Sequence, residues 1–195
     1  MTLPKPPPAP SSRPASIAAY LQVRWVRHAL ALVLAVIVPL LLRALADAPT
    51  RATGFLGFLA LALGFGLVLV GALLYAWWAY TEWIHGMARD VESWAEPWRF
   101  GRGPTAFTRH PAWLAVIALV LGQALVGMTP ALLVWAVLVV IGLNVLVVRH
   151  DEPQLAQAHA EAYDAYRTRV ARWLPWRGVL QMLREIGQML RNSVR

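Results

Sequence analysis

No cysteine occurs in the 195 residues, which excludes disulfides, thiolate metal sites and cysteine nucleophiles. Lysine is nearly absent too. Lys5 is the only one, so the glycine-rich phosphate loop that ends in lysine cannot be built. Serine is missing from every long apolar run and no Gly-x-Ser-x-Gly is present, which removes the serine-hydrolase elbow. No His-x-x-x-His pair or acidic metal cluster appears, so a metal partner is not expected. Gly101 and Gly103 follow no strand and do not form a dinucleotide loop. Charge is scarce as well, at 14% of residues against 58% hydrophobic. That balance is too apolar for an ordinary soluble domain and fits a small polytopic membrane protein.

What is present is a series of apolar runs, each close to the ~20 residues that cross a bilayer as a helix. They predict spans at about 28–46, 53–80, 112–128 and 130–148. Pro39 should kink the first. In the second, Ala60 with Gly64 and Ala62 with Gly66 offer small residues at four-residue spacing for close helix contact. Gln123 and Asn144, inside the last two, are read as interhelical hydrogen-bond partners. Thr129-Pro130 reads as an N-cap followed by proline at the first helical position. The connector before it is so short that the third and fourth spans must form an antiparallel hairpin. His110 and His150 therefore lie on one side of the membrane.

The remaining segments are polar. Residues 1–16 are proline-rich and cannot pack a core. Residues 17–27 suit an interfacial lead-in, and 81–111 read as a polar loop. Residues 154–170 read as a helix with Leu155, His159, Tyr163, Tyr166 and Val170 on one face. Residues 177–195 read as a basic amphipathic helix lying on the leaflet. The expected fold is all-α: a polytopic helical bundle with four transmembrane helices, a cytoplasmic helix and a C-terminal amphipathic helix. Residues 17–176 make one membrane domain.

Net charge is +8. The basic residues flank the spans and form no separate domain, so nucleic acid is not an expected partner. Sixteen of the eighteen Lys and Arg fall on one side of the expected spans. By the positive-inside rule both termini are cytoplasmic, in the inner membrane if the source is bacterial.

On that cytoplasmic side the chain collects Gly103-Pro104, Arg109-His110-Pro111, Asp151-Glu152-Pro153-Gln154-Leu155, Tyr163-Asp164-Ala165-Tyr166 and Arg172-Trp173-Leu174-Pro175. Charged residues at the mouths of membrane helices are costly without a partner or ligand, so this rim is where chemistry is expected. The ordered set, over about residues 100–176, resembles the isoprenylcysteine carboxyl methyltransferase and phospholipid methyltransferase superfamily. It departs from that pattern at Thr105-Ala106-Phe107, at Trp113, at Asp151 and at His159, where the family commonly has a glycine.

The resemblance implies methyl transfer from S-adenosylmethionine to a lipid-like or small hydrophobic acceptor at the membrane face. It implies cofactor contacts from Gly103, His110, Pro111, Asp151, Glu152, Tyr163 and Tyr166, with Arg109, Arg172 and Glu152 as catalytic residues. Arg109 or His110 would hold the cofactor carboxylate and Glu152 its ammonium. The tyrosines would pack its adenine or ribose. Arg172 would orient an anionic acceptor, whereas an amine or thiol acceptor would need a carboxylate or histidine to take a proton. Two other readings of the same residues stand beside this one. The first is a non-catalytic membrane scaffold or lipid-binding protein whose arginines anchor helix ends. The second is an oxidoreductase of the sterol-reductase kind.

Overall fold

The computed structural model describes residues 26–45, 53–87 and 100–174. The proline-rich tail, most of the lead-in, the first connector and the C-terminal amphipathic segment lie outside the described residues. Within them the chain is helical and contains no strand. Helix α1 runs Val26–Leu45, α2 Gly54–Met87, α3 Pro111–Gly127 and α4 Pro130–Leu146. Two short helices follow, α5 at Glu152–Ala158 and α6 at Ala160–Arg169.

Three helical stretches among the described residues are long and apolar enough to cross a membrane: Val26–Leu45, Gly54–Ile84 and Pro130–Gln157. The chain is accordingly an integral membrane protein. Helix α3 has 17 residues, about 25 Å at 1.5 Å per residue, and is shorter than these three. Its ends are set by Pro111 at the first turn and by Met128, whose left-handed backbone (φ 46°) stops it. Thr129 then caps α4, its hydroxyl accepting from the Leu132 N–H at 3.4 Å.

Helix α3 sits at the centre. Trp113, Val116, Val120 and Ala124 pack against Ala31 and Ala35 of α1 and against Leu132, Ala136, Val139 and Leu143 of α4. Outward-facing residues such as Leu40, Phe55, Phe58 and Ile141 are exposed, as lipid-facing side chains would be. Helices α2 and α3 approach closely through glycine. A Cβ on Gly122 would stand 2.6 Å from the Gly64 carbonyl oxygen, and one on Gly64 would stand 2.8 Å from Val126. Gly66, in contrast, has nothing near it, so the expected Ala62–Gly66 contact does not form.

Helix α1 carries a π turn at Val33–Ile37, where the Val38 N–H donates to the Val33 carbonyl. Pro39 explains it. Proline has no N–H for the carbonyl of Ala35, and its ring crowds the preceding turn. Two carbonyls are freed, and both find side chains of other helices. Gln123 Nε2 donates to Ala35 O at 2.7 Å, and Trp135 Nε1 donates to Leu34 O at 3.1 Å.

Three expectations change. Helix α2 continues to Met87 instead of ending at Tyr80, because no breaker interrupts Thr81-Glu82-Trp83, and Thr81 back-bonds to the Trp77 carbonyl at 2.8 Å. The 154–170 helix is broken at His159, whose backbone (φ −144°, ψ 52°) leaves the helical region. Asn144 accepts from Trp173 Nε1 at 3.2 Å, so its partner lies in the segment after α6 and not in another span.

Candidate functional site at the polar rim

From Pro130 to Gln157 the helical run is 28 residues, or about 42 Å, against a hydrocarbon layer of about 30 Å. The span itself therefore ends near Val148, and Arg149-His150-Asp151-Glu152 project beyond it. A second π turn, Val147–Asp151, closes with the Glu152 N–H donating to the Val147 carbonyl. Its cause is the same as in α1, since Pro153 comes next.

The two adjacent carboxylates then serve different neighbours. Asp151 turns into the bundle and is 1% exposed. Its Oδ1 accepts from Arg27 Nη2 at 2.9 Å, and its Oδ2 accepts from Trp113 Nε1 at 3.0 Å. It ties α1 and α3 to the end of α4, so its contacts here are with protein groups on both oxygens. Glu152 faces the rim. Its Oε1 accepts from Arg109 Nη1 at 2.7 Å and Arg172 Nε at 2.9 Å, and Oε2 accepts from Arg172 Nη2 at 2.7 Å. His110 Nε2 stands 3.6 Å from Oε1, beyond hydrogen-bond length. Burial alone would raise the Glu152 carboxyl, but the His110, Arg172 and Arg109 side chains outweigh it and hold it down at about 2. Glu152 is a fixed anion at any physiological pH.

The local chain explains how the arginines arrive. The Arg109 N–H donates to the Ala171 carbonyl at 2.9 Å, and the Thr108 hydroxyl donates to the Arg172 carbonyl at 3.0 Å. The segment before α3 is thereby stitched to the segment after α6, and both guanidiniums reach one carboxylate. Tyr163 joins through a long 3.4 Å bond from Arg109 Nη1. Tyr166 donates to the Thr105 carbonyl at 2.7 Å, and Phe100 stacks on its ring at 4.8 Å and 14°. Burial pushes both tyrosine hydroxyls up, so neither ionises near neutrality. Gly103 has φ +54°, and a Cβ there would stand 2.9 Å from the Thr81 hydroxyl. Its present role is to let this turn lie against α2.

Of the residues singled out from the sequence, Arg109, His110, Glu152, Tyr163 and Arg172 thus converge in one cluster. Tyr166 adjoins it, Pro111 begins α3 beside it, and Asp151 and Gly103 support it from behind. Next to the cluster lies a narrow cleft of about 60 Å³, partly open to solvent. Arg109, His110, Pro111 and Tyr166 line it, while Glu152, Tyr163 and Arg172 stand behind its wall.

Sequence reading missed the opposite wall, made by Arg27, Trp78, Glu82 and Phe100. Glu82 is 5% exposed. Its signal was a lone acid two residues beyond the expected end of the second span, hidden by assigning 81–111 to a loop. Arg27 was hidden inside the interfacial lead-in. No family model, curated protein or solved structure matches this chain.

Proposed function

We propose that the protein is an integral membrane methyltransferase that moves a methyl group from S-adenosylmethionine to a lipid-like or small hydrophobic acceptor at the cytoplasmic face. The observation that carries this reading is the Glu152 carboxylate gripped by Arg109 and Arg172 directly beside an aromatic-walled cleft. It supports the ordered resemblance, because residues 43 and 20 positions apart in sequence meet on one carboxylate. The lining's chemistry suits the groups of the methyl donor, for which the cleft must widen on binding. Arg109 and Arg27 suit its carboxylate, Glu82 suits its ammonium, and Phe100 with Tyr166 suits a nucleoside ring. The buried Arg109 Nε and His110 Nε2 lack hydrogen-bond partners, as polar atoms awaiting a ligand would.

The donor supplies an electrophilic methyl when bound, and the chain's residues align it in a water-poor pocket. Glu152 positions Arg109 and His110 without touching the donor. In this reading α3 also crosses the membrane, as the third of four spans, paired with α4 as a hairpin, and both termini are cytoplasmic. Support comes from the sixteen basic residues on that side and from His110 and Glu152 meeting at one rim. Calorimetry of the purified full chain with S-adenosylhomocysteine should show saturable binding. Glu152→Ala, which releases Arg109 from the cleft wall, should weaken it by about 1–3 kcal/mol. Absence of heat across several detergents and lipid nanodiscs refutes the proposal.

A further inference from the structure

We infer that the methyl acceptor is a protic nucleophile, an amine or a thiol, and that His110 takes the proton it sheds. The inference rests on the methyl-transfer reading above and deepens it, because a carboxylate acceptor carries no proton to lose and needs no base.

His110 lines the cleft, its side chain is 6% exposed, and its Nε2 is buried without a hydrogen-bond partner. A buried imidazole nitrogen with no partner is costly unless something else meets it. The other titratable groups around it are already committed. Glu152, 3.6 Å from Nε2, is held as an anion by two guanidiniums and has no appetite for a proton. Asp151 is locked between Arg27 and Trp113. Tyr166 gives its hydroxyl proton to the Thr105 carbonyl. Arg109 and Arg172 remain cations throughout. The Trp173 ring lies 6.0 Å away, tilted by 50°. Glu82 lies across the cleft.

The lone pair of the amine or thiol attacks the sulfonium methyl, the new N–C or S–C bond forms, and the old C–S bond breaks with its electrons left on sulfur. The acceptor proton passes to His110 Nε2. The imidazolium so formed lies beside the Glu152 carboxylate, which stabilises it.

Three probes with one chain and different heads test this: dodecylamine, dodecanethiol and dodecanoate, each incubated in micelles with methyl-labelled S-adenosylmethionine and the full chain. Label should enter the amine or the thiol and not the carboxylate. At saturating S-adenosylmethionine, His110→Asn should cut that transfer by about 100-fold or more. Under the same saturating donor, Glu82→Gln should cut it far less than His110→Asn. Independently of turnover, nitrogen-15 labelling of the histidines should give a His110 titration in the acceptor-free protein. Its midpoint should coincide with the pH below which transfer fails.

Label in dodecanoate alone overturns the inference, as does label in none of the three. Undiminished transfer by His110→Asn overturns it, and so does a rate profile unrelated to the His110 titration. Loss of S-adenosylhomocysteine binding by the unaltered protein would instead sink the methyltransferase reading itself.

Discussion

Glu152→Gln is the sharpest perturbation this structure offers, since it removes one charge and almost no volume. Two guanidiniums then lose their counter-ion: Arg109, whose side chain is 13% exposed, and Arg172, which is 36% exposed. Holding a carboxyl at about 2 when its ordinary value is 4.5 corresponds to about 3 kcal/mol of stability. Solvent screens the Arg172 share, so about 2 kcal/mol should survive as a measured loss. Its pH dependence has a definite sign. The folded carboxyl titrates below the unfolded one, so its contribution is complete above about 4.5 and fades as pH falls towards 2. Equilibrium unfolding in mixed dodecylmaltoside and dodecylsulfate micelles, followed by the chain's ten tryptophans, gives the measurement. At pH 7 the variant should unfold about 2 kcal/mol more easily, and near pH 2 the two proteins should converge. A loss under about 0.5 kcal/mol at pH 7, or a gap that persists unchanged at pH 2, refutes the reasoning.

Two further predictions concern how the bundle holds together. Gln123→Leu strips the bond to the Ala35 carbonyl and should cost about 0.6–1.7 kcal/mol in the same unfolding assay; no cost would mean that lipid or water satisfies that carbonyl equally well. Gly122→Val places a Cβ 2.6 Å from the Gly64 carbonyl oxygen and should cost about 1–3 kcal/mol by forcing α2 from α3, whereas Gly66→Val, facing open space, should cost little; equal costs would show that α2 and α3 are not in tight contact.

The apolar runs were legible because burial in hydrocarbon demands a simple composition, and proline, threonine and glycine punctuate them at 111, 127 and 129–130. Pro39 was read as a kink, and its freed carbonyls were not readable, because nothing local says that Gln123 and Trp135 stand opposite. The converging charges were legible as an ordered set. Which partner each would choose was not: Asp151 and Glu152 are neighbours in sequence, yet one ties Arg27 and Trp113 while the other takes Arg109 and Arg172. Adjacent helical positions point about 100° apart, so the two carboxylates meet different neighbours. Glu82 was lost to a misplaced helix end.

Helix α1 shows why those unread polar contacts decide the architecture. Leu32, Leu40, Leu41 and Leu45 are more than half exposed, and helix association in lipid gains nothing from burying leucine against leucine. What fixes α1 is polar: Arg27 on Asp151 at its start, then Trp135 on Leu34 and Gln123 on Ala35 at its middle. The two middle bonds exist only because Pro39 opens a π turn. Asp151 is likewise delivered by a π turn ahead of Pro153. Two prolines, 114 residues apart, therefore carry α1 into register with the rim, and with it Arg27 onto the wall of the cleft facing Arg109 and His110.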